Sequence, residues 1–237
     1  MKELLIESAN ELGIRLNEKM SDNFFMYKDL LLEWNEKINL TAITEEREII
    51  LKHFIDSISI LTAVEMKKEI SIVDIGTGAG FPGIPVKIVY PDCKMTLIDS
   101  LNKRVKFLQE VITKLQLQDI TAVHGRAEDV GQDKNHREKY DLCLSRAVAN
   151  LSVLAEFCLP MVKIGGEFIS LKGPDATEEI STAKTAINIL GGEISDIKKL
   201  KIPNSDIVHS IVVIKKIRQV PSKYPRKAGY VTKNPIS

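Results

Sequence analysis

The stretch VDIGTGAGFPG, at residues 73–83, decides the fold of this chain of 237 residues. The apolar run at 70–73 predicts a short buried strand, and Pro82 and Pro85 suit the first turn of a helix, where a missing N–H costs nothing. Glycines between a strand and a helix let the backbone turn sharply and approach a ligand closely. The free N–H groups at a helix N-terminus can bind an anion or another polar group. The stretch therefore predicts a ligand-binding turn at the end of a parallel strand.

Strand and helix patterns alternate after this turn. Further strands are predicted over 95–98, 120–123, 140–145, 167–171 and 207–217, and helices over 82–89, 103–117, 151–159 and 176–190. This alternation is typical of a parallel sheet with helices on both faces, that is, a doubly wound α/β fold.

The N-terminal residues have a helical pattern instead. Apolar residues recur at three- and four-residue steps, at Phe24, Tyr27, Leu31, Trp34 and Ile38. Asn17 is predicted to cap this helix, and Thr44, followed by two glutamates, is predicted to cap the next. The stripes need a partner to bury against. We therefore expect a helical cap over 1–66, a ligand-binding sheet domain over 67–219 and a basic tail over 220–237.

Composition excludes several classes of protein. The chain is 44% hydrophobic and 27% charged, as in ordinary globular proteins, and no apolar run has the length of a membrane span. The first residues, MKELLIE, are acidic and amphipathic, unlike a signal peptide. The three cysteines are too few and too scattered for a disulfide framework or a zinc site. We expect a cytoplasmic protein without a metal or a membrane partner, and nothing in the sequence implies an oligomer.

Positive charge collects at the C-terminus although the formal net charge is only +1. Residues 1–68 contain nine Lys or Arg and 13 Asp or Glu, whereas residues 207–237 contain seven Lys or Arg and no acid. A basic end on a nearly neutral chain suggests contact with a polyanion. A solvated tail that only keeps the protein soluble explains the charge equally well.

Two classes of nucleotide cofactor compete for the glycine stretch. The pattern Gly78-x-Gly80-x-x-Gly83 matches the dinucleotide fingerprint, but it begins two residues after Gly76. The carboxylate of Asp74 would repel a pyrophosphate and attract the ammonium group of a methionine moiety. The core Asp-x-Gly-x-Gly-x-Gly resembles the first motif of class I S-adenosylmethionine-dependent methyltransferases, and a purely structural turn is the alternative. We expect S-adenosylmethionine to contact Asp74, Gly76, Gly78 and Gly80.

Asp99 ends the second predicted strand, about twenty residues after the glycine turn, where an acid takes the ribose hydroxyls of an adenosine. This position fits NAD and S-adenosylmethionine equally. A cap for the helix that follows is the alternative role. Asp99 therefore supports a nucleoside site without choosing between the two cofactors.

The ordered set of motifs resembles the ribosomal RNA small subunit methyltransferase G family, also called glucose-inhibited division protein B. The resemblance covers nearly the whole chain. It rests on WN at 34–35, NLTAI at 39–43, HFIDS at 53–57, DIGTGAGFPGIP at 74–85, DSLNKRVKFL at 99–108, GRAE at 125–128, SRA at 145–147, LKG at 171–173 and YPRKAG at 224–229.

The resemblance implies a mostly parallel seven-stranded sheet of the class I methyltransferase type. It also implies methyl transfer from S-adenosylmethionine to N7 of a guanine in 16S ribosomal RNA, with cofactor contacts at Gly76, Phe81, Ala127, Glu128 and Arg146. Guanine N7 has a lone pair and no proton, so the reaction needs no general base, and we assign no catalytic residue. An NAD-dependent oxidoreductase, a small-metabolite methyltransferase and a non-enzymatic RNA-binding protein are the rivals.

Three cations are predicted to contact the RNA, either free 16S ribosomal RNA or the small ribosomal subunit. Lys172 follows the fifth predicted strand, and Arg226 and Lys227 lie in the basic tail. With Arg146, they are expected to hold phosphates or the flipped base. The roles of His53 and Asp56 stay open between orienting the substrate and forming a satisfied buried pair.

Overall fold

A computed structural model describes residues 1–146 and 149–236. Its centre is a seven-stranded sheet in the order β3-β2-β1-β4-β5-β7-β6. The strands are Ser71–Ile75 (β1), Lys94–Asp99 (β2), Ile120–His124 (β3), Tyr140–Ser145 (β4), Val162–Lys172 (β5), Gly192–Lys201 (β6) and Val208–Lys216 (β7). The strands β1 to β5 are parallel, and β7 is antiparallel to both of its neighbours. The mostly parallel, doubly wound sheet is confirmed.

Helices cover both faces of this sheet. They run over Lys2–Glu11 (α1), Glu18–Ile38 (α2), Glu46–Glu48 (α3), Asp56–Ile58 (α4), Gly83–Val89 (α5), Asn102–Lys114 (α6), Ala127–Gln132 (α7), Leu151–Cys158 (α8), Thr177–Ile189 (α9) and Tyr230–Lys233 (α10). A π-helix at Ile49–Ile55 joins α3 to α4. No helix of the described ranges is both long and apolar enough to cross a membrane.

Each face of the sheet has its own apolar core, because alternate residues of a strand point to opposite faces. The N-terminal helices, α5 and α6 pack with Ile72 on one face. The helices α8 and α9 and residues of the tail pack with Val73 and Ile75 on the other. The predicted tail is therefore docked on the sheet domain rather than solvated throughout, and Tyr224 and Val231 within it are buried. The boundaries predicted at 66 and 219 stay predictions.

Two helix starts tested the rules for capping residues. Asn17 caps α2 as predicted, since its Oδ1 accepts the N–H of Met20 at 2.9 Å. The prediction for Thr44 is wrong, because Glu45 takes the cap position and accepts the N–H of Glu48 at 2.8 Å. The helix therefore begins one residue later than predicted, with Glu45 as its cap.

The parallel sheet reverses its winding between β1 and β4, which are hydrogen-bonded neighbours although two strands separate them in sequence. Open α/β sheets bind ligands at the carboxyl ends of the strands beside such a reversal. The glycine turn leaves β1 at this edge. Arg146, which follows β4, lies at the same edge.

Candidate functional site

The three glycines of the turn differ in their surroundings: two face open space and the third is packed against its neighbours. Gly76, Gly78 and Gly80 all have a positive φ, at 67°, 62° and 97°. A Cβ built on Gly76 meets nothing within 4 Å, and one built on Gly78 meets only the Gly76 carbonyl oxygen at 4.0 Å. A Cβ on Gly80 would lie 2.5 Å from Ile84 Cδ1 and 2.7 Å from the Tyr27 hydroxyl. Gly76 and Gly78 thus form an open cradle, and Gly80 lets the turn pack against the cap.

Asp74 holds the turn from beneath. Its Oδ2 accepts from the Thr77 hydroxyl at 2.6 Å and from the Gly83 N–H at 2.9 Å. The carboxyl is fully buried, and this burial raises its pKa to about 6. Its Oδ1 has no hydrogen-bond partner among the described residues. These contacts give Asp74 a role inside the loop, and its predicted contact with an ammonium group stays a prediction.

Asp99 joins the ends of β1 and β2. Its Oδ2 accepts the N–H of Gly78 at 2.9 Å, and its Oδ1 accepts the N–H of Leu101 at 2.9 Å. Arg104 lies 3.6 Å from Oδ2. Each carboxylate oxygen has two lone pairs, so both can still accept a ligand hydroxyl. The capping role and the ligand-binding role are therefore compatible.

A cleft of about 330 Å³ opens beside Gly76 and Asp99. Its other lining residues are Ile75, Ile98, Ser100, Arg104, Gly125, Arg126, Ala127, Glu128, Ala149, Leu154 and Phe157. The lining combines apolar side chains, among them Ile98 of β2 and Leu154 and Phe157 of α8, with the acids Asp99 and Glu128. This combination suits a flat heteroaromatic ring joined to a sugar. Four of the predicted site residues, Gly76, Asp99, Ala127 and Glu128, thus lie in one cleft.

Phe81 and Arg146 lie outside that lining, on the side of the cap. The Phe81 ring stacks on the His53 imidazole, with centroids 4.5 Å apart and an angle of 21° between the planes. The Arg146 guanidinium lies over the same ring, 4.8 Å from its centroid. Both residues therefore join the glycine turn to the N-terminal helices.

A family model for the rRNA small subunit methyltransferase G family, GidB, matches residues 20–208. The chain belongs to this family. The ribosomal RNA small subunit methyltransferase G of Acetivibrio thermocellus is 56% identical over 237 residues, which are 100% of this chain and 97% of that protein. The protein of the same name from Alkaliphilus metalliredigens is 53% identical over 235 residues, 99% of this chain and 98% of its own length.

Solved structures at low identity support the fold alone. The crystal structure of M. jannaschii TYW2 in complex with AdoMet superposes with a TM-score of 0.56 at 14% identity, covering 74% of this chain and 80% of that one. The complex between the Haloferax volcanii Trm112 methyltransferase activator and the putative methyltransferase gives a TM-score of 0.57 at 12% identity, covering 79% and 98%. The fold is therefore that of the class I methyltransferases.

Two of the predicted RNA contacts are paired inside the protein. The Lys172 ammonium donates to Glu179 Oε1 at 2.6 Å and to the Ala149 carbonyl at 2.6 Å, and its side chain is only 6% exposed. Arg226 donates to both carboxylate oxygens of Glu156. Lys227 is exposed. All three stay predictions as RNA contacts, and of the three only Lys227 is exposed.

Sequence reasoning missed two contacts that hold the site together. The Tyr27 hydroxyl, on α2, donates to the carbonyl of Ala79 in the glycine turn. The N–H of Gly229, in the tail, donates to Glu128 Oε1 at 3.3 Å. The apolar stripe predicted that Tyr27 is buried, but the sequence carries no signal for a partner 52 residues away. Ala147, in the predicted motif SRA, lies outside the described residues.

Proposed function

We propose that this protein transfers a methyl group from S-adenosylmethionine to N7 of a guanine in 16S ribosomal RNA. Membership of the methyltransferase G family is the observation that carries the proposal. An enzyme that acts on ribosomal RNA or on the small ribosomal subunit works in the cytoplasm, and we place the protein there. Methylation of small subunits from a strain that lacks the modification, followed by mapping of the methylated base, tests the activity.

The residues present fit the cofactor. The open space above Gly76 and Gly78 suits the methionine part, which a side chain would block. Asp99 offers lone pairs to ribose hydroxyls, and the cleft beside Ala127 and Glu128 suits the adenine. Asp74 fixes the turn through the Gly83 N–H, and its contact with the ammonium group of the cofactor stays part of the proposal.

When bound, S-adenosylmethionine supplies an electrophilic methyl group: N7 of the guanine gains a bond to the methyl carbon, the sulfur keeps the electron pair, and the positive charge moves to the purine. The protein need not move a proton. Its residues have to align the two reactants and exclude water. Arg146, beside the turn, is the cation best placed to orient the target base.

Asp99→Ala should weaken binding of S-adenosylmethionine by about 1–3 kcal/mol, the cost of leaving a charged hydrogen bond unmade. Isothermal calorimetry measures the effect. The matched control is Asp141→Ala, since Asp141 also accepts a backbone N–H, from Ser71 at 2.9 Å, but at the amino edge of the sheet. Equal dissociation constants for the wild type and Asp99→Ala would leave Asp99 with its capping role alone.

The basic tail gives a separate prediction about RNA. Reversing the exposed charges of Lys223 and Lys227 to glutamate should lower the salt dependence of RNA affinity by about one unit of log–log slope for each phosphate that the protein no longer neutralises. Binding of S-adenosylmethionine should not change. Lys67 and Lys68, an exposed pair just before β1 and outside the tail, give the matched control. Full activity and an unchanged slope in the tail variant would assign the tail to solubility.

A further inference from the structure

A partly buried polar cluster lies between the cap and the carboxyl edge of the sheet. It consists of Thr41, His53, Asp56, Arg146 and His209. Asp56 is its centre: Oδ2 accepts from Arg146 Nη1 at 2.8 Å, and Oδ1 lies 2.6 Å from His209 Nδ1. The His53 ring lies 3.2 Å from Arg146 Nη2 through Nδ1 and 2.8 Å from the Thr41 hydroxyl through Nε2. One carboxylate thus links the cap, the end of β4 and the start of β7.

The cluster fixes Arg146 against the glycine turn. Besides Asp56 and His53, the guanidinium donates to the carbonyl of Lys52 at 3.0 Å. Its flat face rests on Phe81. Lys52 and His53 belong to the π-helix, an irregularity that is frequent at functional sites. Arg146 has therefore one conformation in which the cap satisfies most of its donors.

Arg146 and Asp56 have opposite charges within the cluster. The Arg146 guanidinium is always protonated, and Asp56 is only 1% exposed. Burial and the neighbouring guanidinium lower the pKa of His53 to about 4, so its ring is neutral near pH 7. Water cannot screen a charge in such a place as it does at the surface. The carboxylate of Asp56 is consequently the group that offsets the charge of Arg146.

We propose that Asp56 makes the site selective for a cationic methyl donor by neutralising Arg146 beside the glycine turn. The inference rests on the proposed function. Before transfer the positive charge is on the sulfonium, and after transfer it is on the methylated guanine. A bare guanidinium at this place repels both. Asp56 is a positioning and charge-balancing residue, since it contacts Arg146 and not the reacting atoms.

Two natural ligands differ only at sulfur, by the methyl group and the positive charge. S-adenosylmethionine is a sulfonium, and S-adenosylhomocysteine is a neutral thioether with the same adenosine and amino acid parts. We expect Asp56→Asn to lower the preference for S-adenosylmethionine over S-adenosylhomocysteine by roughly tenfold, the effect of one uncompensated charge about 10–12 Å away at an effective dielectric constant of about 20. Calorimetry of both ligands at one fixed pH gives the ratio of dissociation constants.

Removing Arg146 instead of Asp56 should change the preference for S-adenosylmethionine in the opposite direction. Arg146→Gln removes the guanidinium and leaves the Asp56 carboxylate beside the His209 ring, 2.6 Å from its Oδ1, so it should raise the same preference. The double variant Asp56→Asn with Arg146→Gln should return the preference close to the wild-type ratio. A purely structural cluster predicts the opposite pattern, with both ligands weakened by one common factor in each variant. If Asp56→Asn does not fold, an unchanged ratio in Arg146→Gln overturns the proposal by itself.

The matched control is Glu156→Gln, since Glu156 is an equally buried carboxylate paired with an arginine, Arg226, on the other face of the sheet. It should lower stability without changing the ratio. A change in the ratio as large as that of Asp56→Asn would overturn the proposal. Wild-type protein that binds neither ligand would instead refute the proposed function, so the two failures are distinguishable.

Discussion

Gly80→Ala should lower the free energy of unfolding by about 2–4 kcal/mol, because an overpacked Cβ and a backbone conformation that disfavours side chains add their costs. The added methyl group would lie 2.5 Å from Ile84 Cδ1 and 2.7 Å from the Tyr27 hydroxyl. Neither neighbour has room to retreat, since Ile84, in α5, and Tyr27, in the cap, are both fully buried. Urea denaturation without cofactor measures the effect.

Gly78 is the matched control for this effect. Its φ of 62° is also positive, but a Cβ there points into open space. Gly78→Val should therefore cost about 1 kcal/mol of stability from backbone strain, and it should remove binding of S-adenosylmethionine that calorimetry detects in the wild type. If Gly80→Ala and Gly78→Val lowered the stability equally, the conclusion that Gly80 is packed while Gly78 faces open space would be wrong.

The contrast between these two glycines marks how far the sequence predicts the site. The alternation of strand and helix and the glycine turn predicted the fold and the edge at which ligands bind, because both depend on local pattern. The sequence could not predict that Gly78 is open and Gly80 packed, because both occupy equivalent places in the motif Gly-x-Gly-x-Gly at 76–80. Their difference comes from Ile84 and Tyr27, and the position of Tyr27 over the turn depends on the packing of α2 against α5 and α6.

The roles predicted for charged residues depended on partners that are distant in sequence. Asp74 was predicted from its charge, whereas the structure pairs it with Thr77 and Gly83 inside the turn. The sequence left the roles of His53 and Asp56 open, because their partner Arg146 lies 90 residues beyond Asp56. Local pattern therefore identifies which residues can carry chemistry, and long-range packing decides what each of them contacts.

The strand β6 was not predicted, and its place in the sheet explains why. It is an edge strand, paired on one side only with β7. Its sequence GEISDIKKLK contains three lysines, and most of its residues are exposed or half-buried. Lysines on an edge strand discourage pairing with another chain. The lysines that protect the edge thus also obscure the alternation of apolar and polar residues from which a strand is predicted.

Arg226→Ala should lower the free energy of unfolding by about 3–5 kcal/mol, the cost of leaving a buried carboxylate without its partner. Glu156 is fully buried and accepts from the Arg226 main-chain N–H at 2.7 Å, from Nε at 2.9 Å and from Nη2 at 2.6 Å. These bonds hold the tail against α8. The same arginine also donates to the carbonyl of Asn234 at 2.8 Å, so its removal should release the end of the chain.

Two further variants separate this cost from a role in RNA binding. Lys227→Ala removes the next charge, which is exposed, and should change stability by less than about 0.5 kcal/mol. Replacing Glu156 and Arg226 together, by Met each, should recover much of the stability, because an apolar pair of similar volume replaces a desolvated ion pair at little cost. If the double variant is stable but inactive on ribosomal subunits while it still binds S-adenosylmethionine, Arg226 contacts RNA as well. If the double variant is stable and active, the whole contribution of Arg226 is to anchor the tail. Reduced activity in Arg226→Ala then reports unfolding of the tail rather than the absence of a bond to a phosphate.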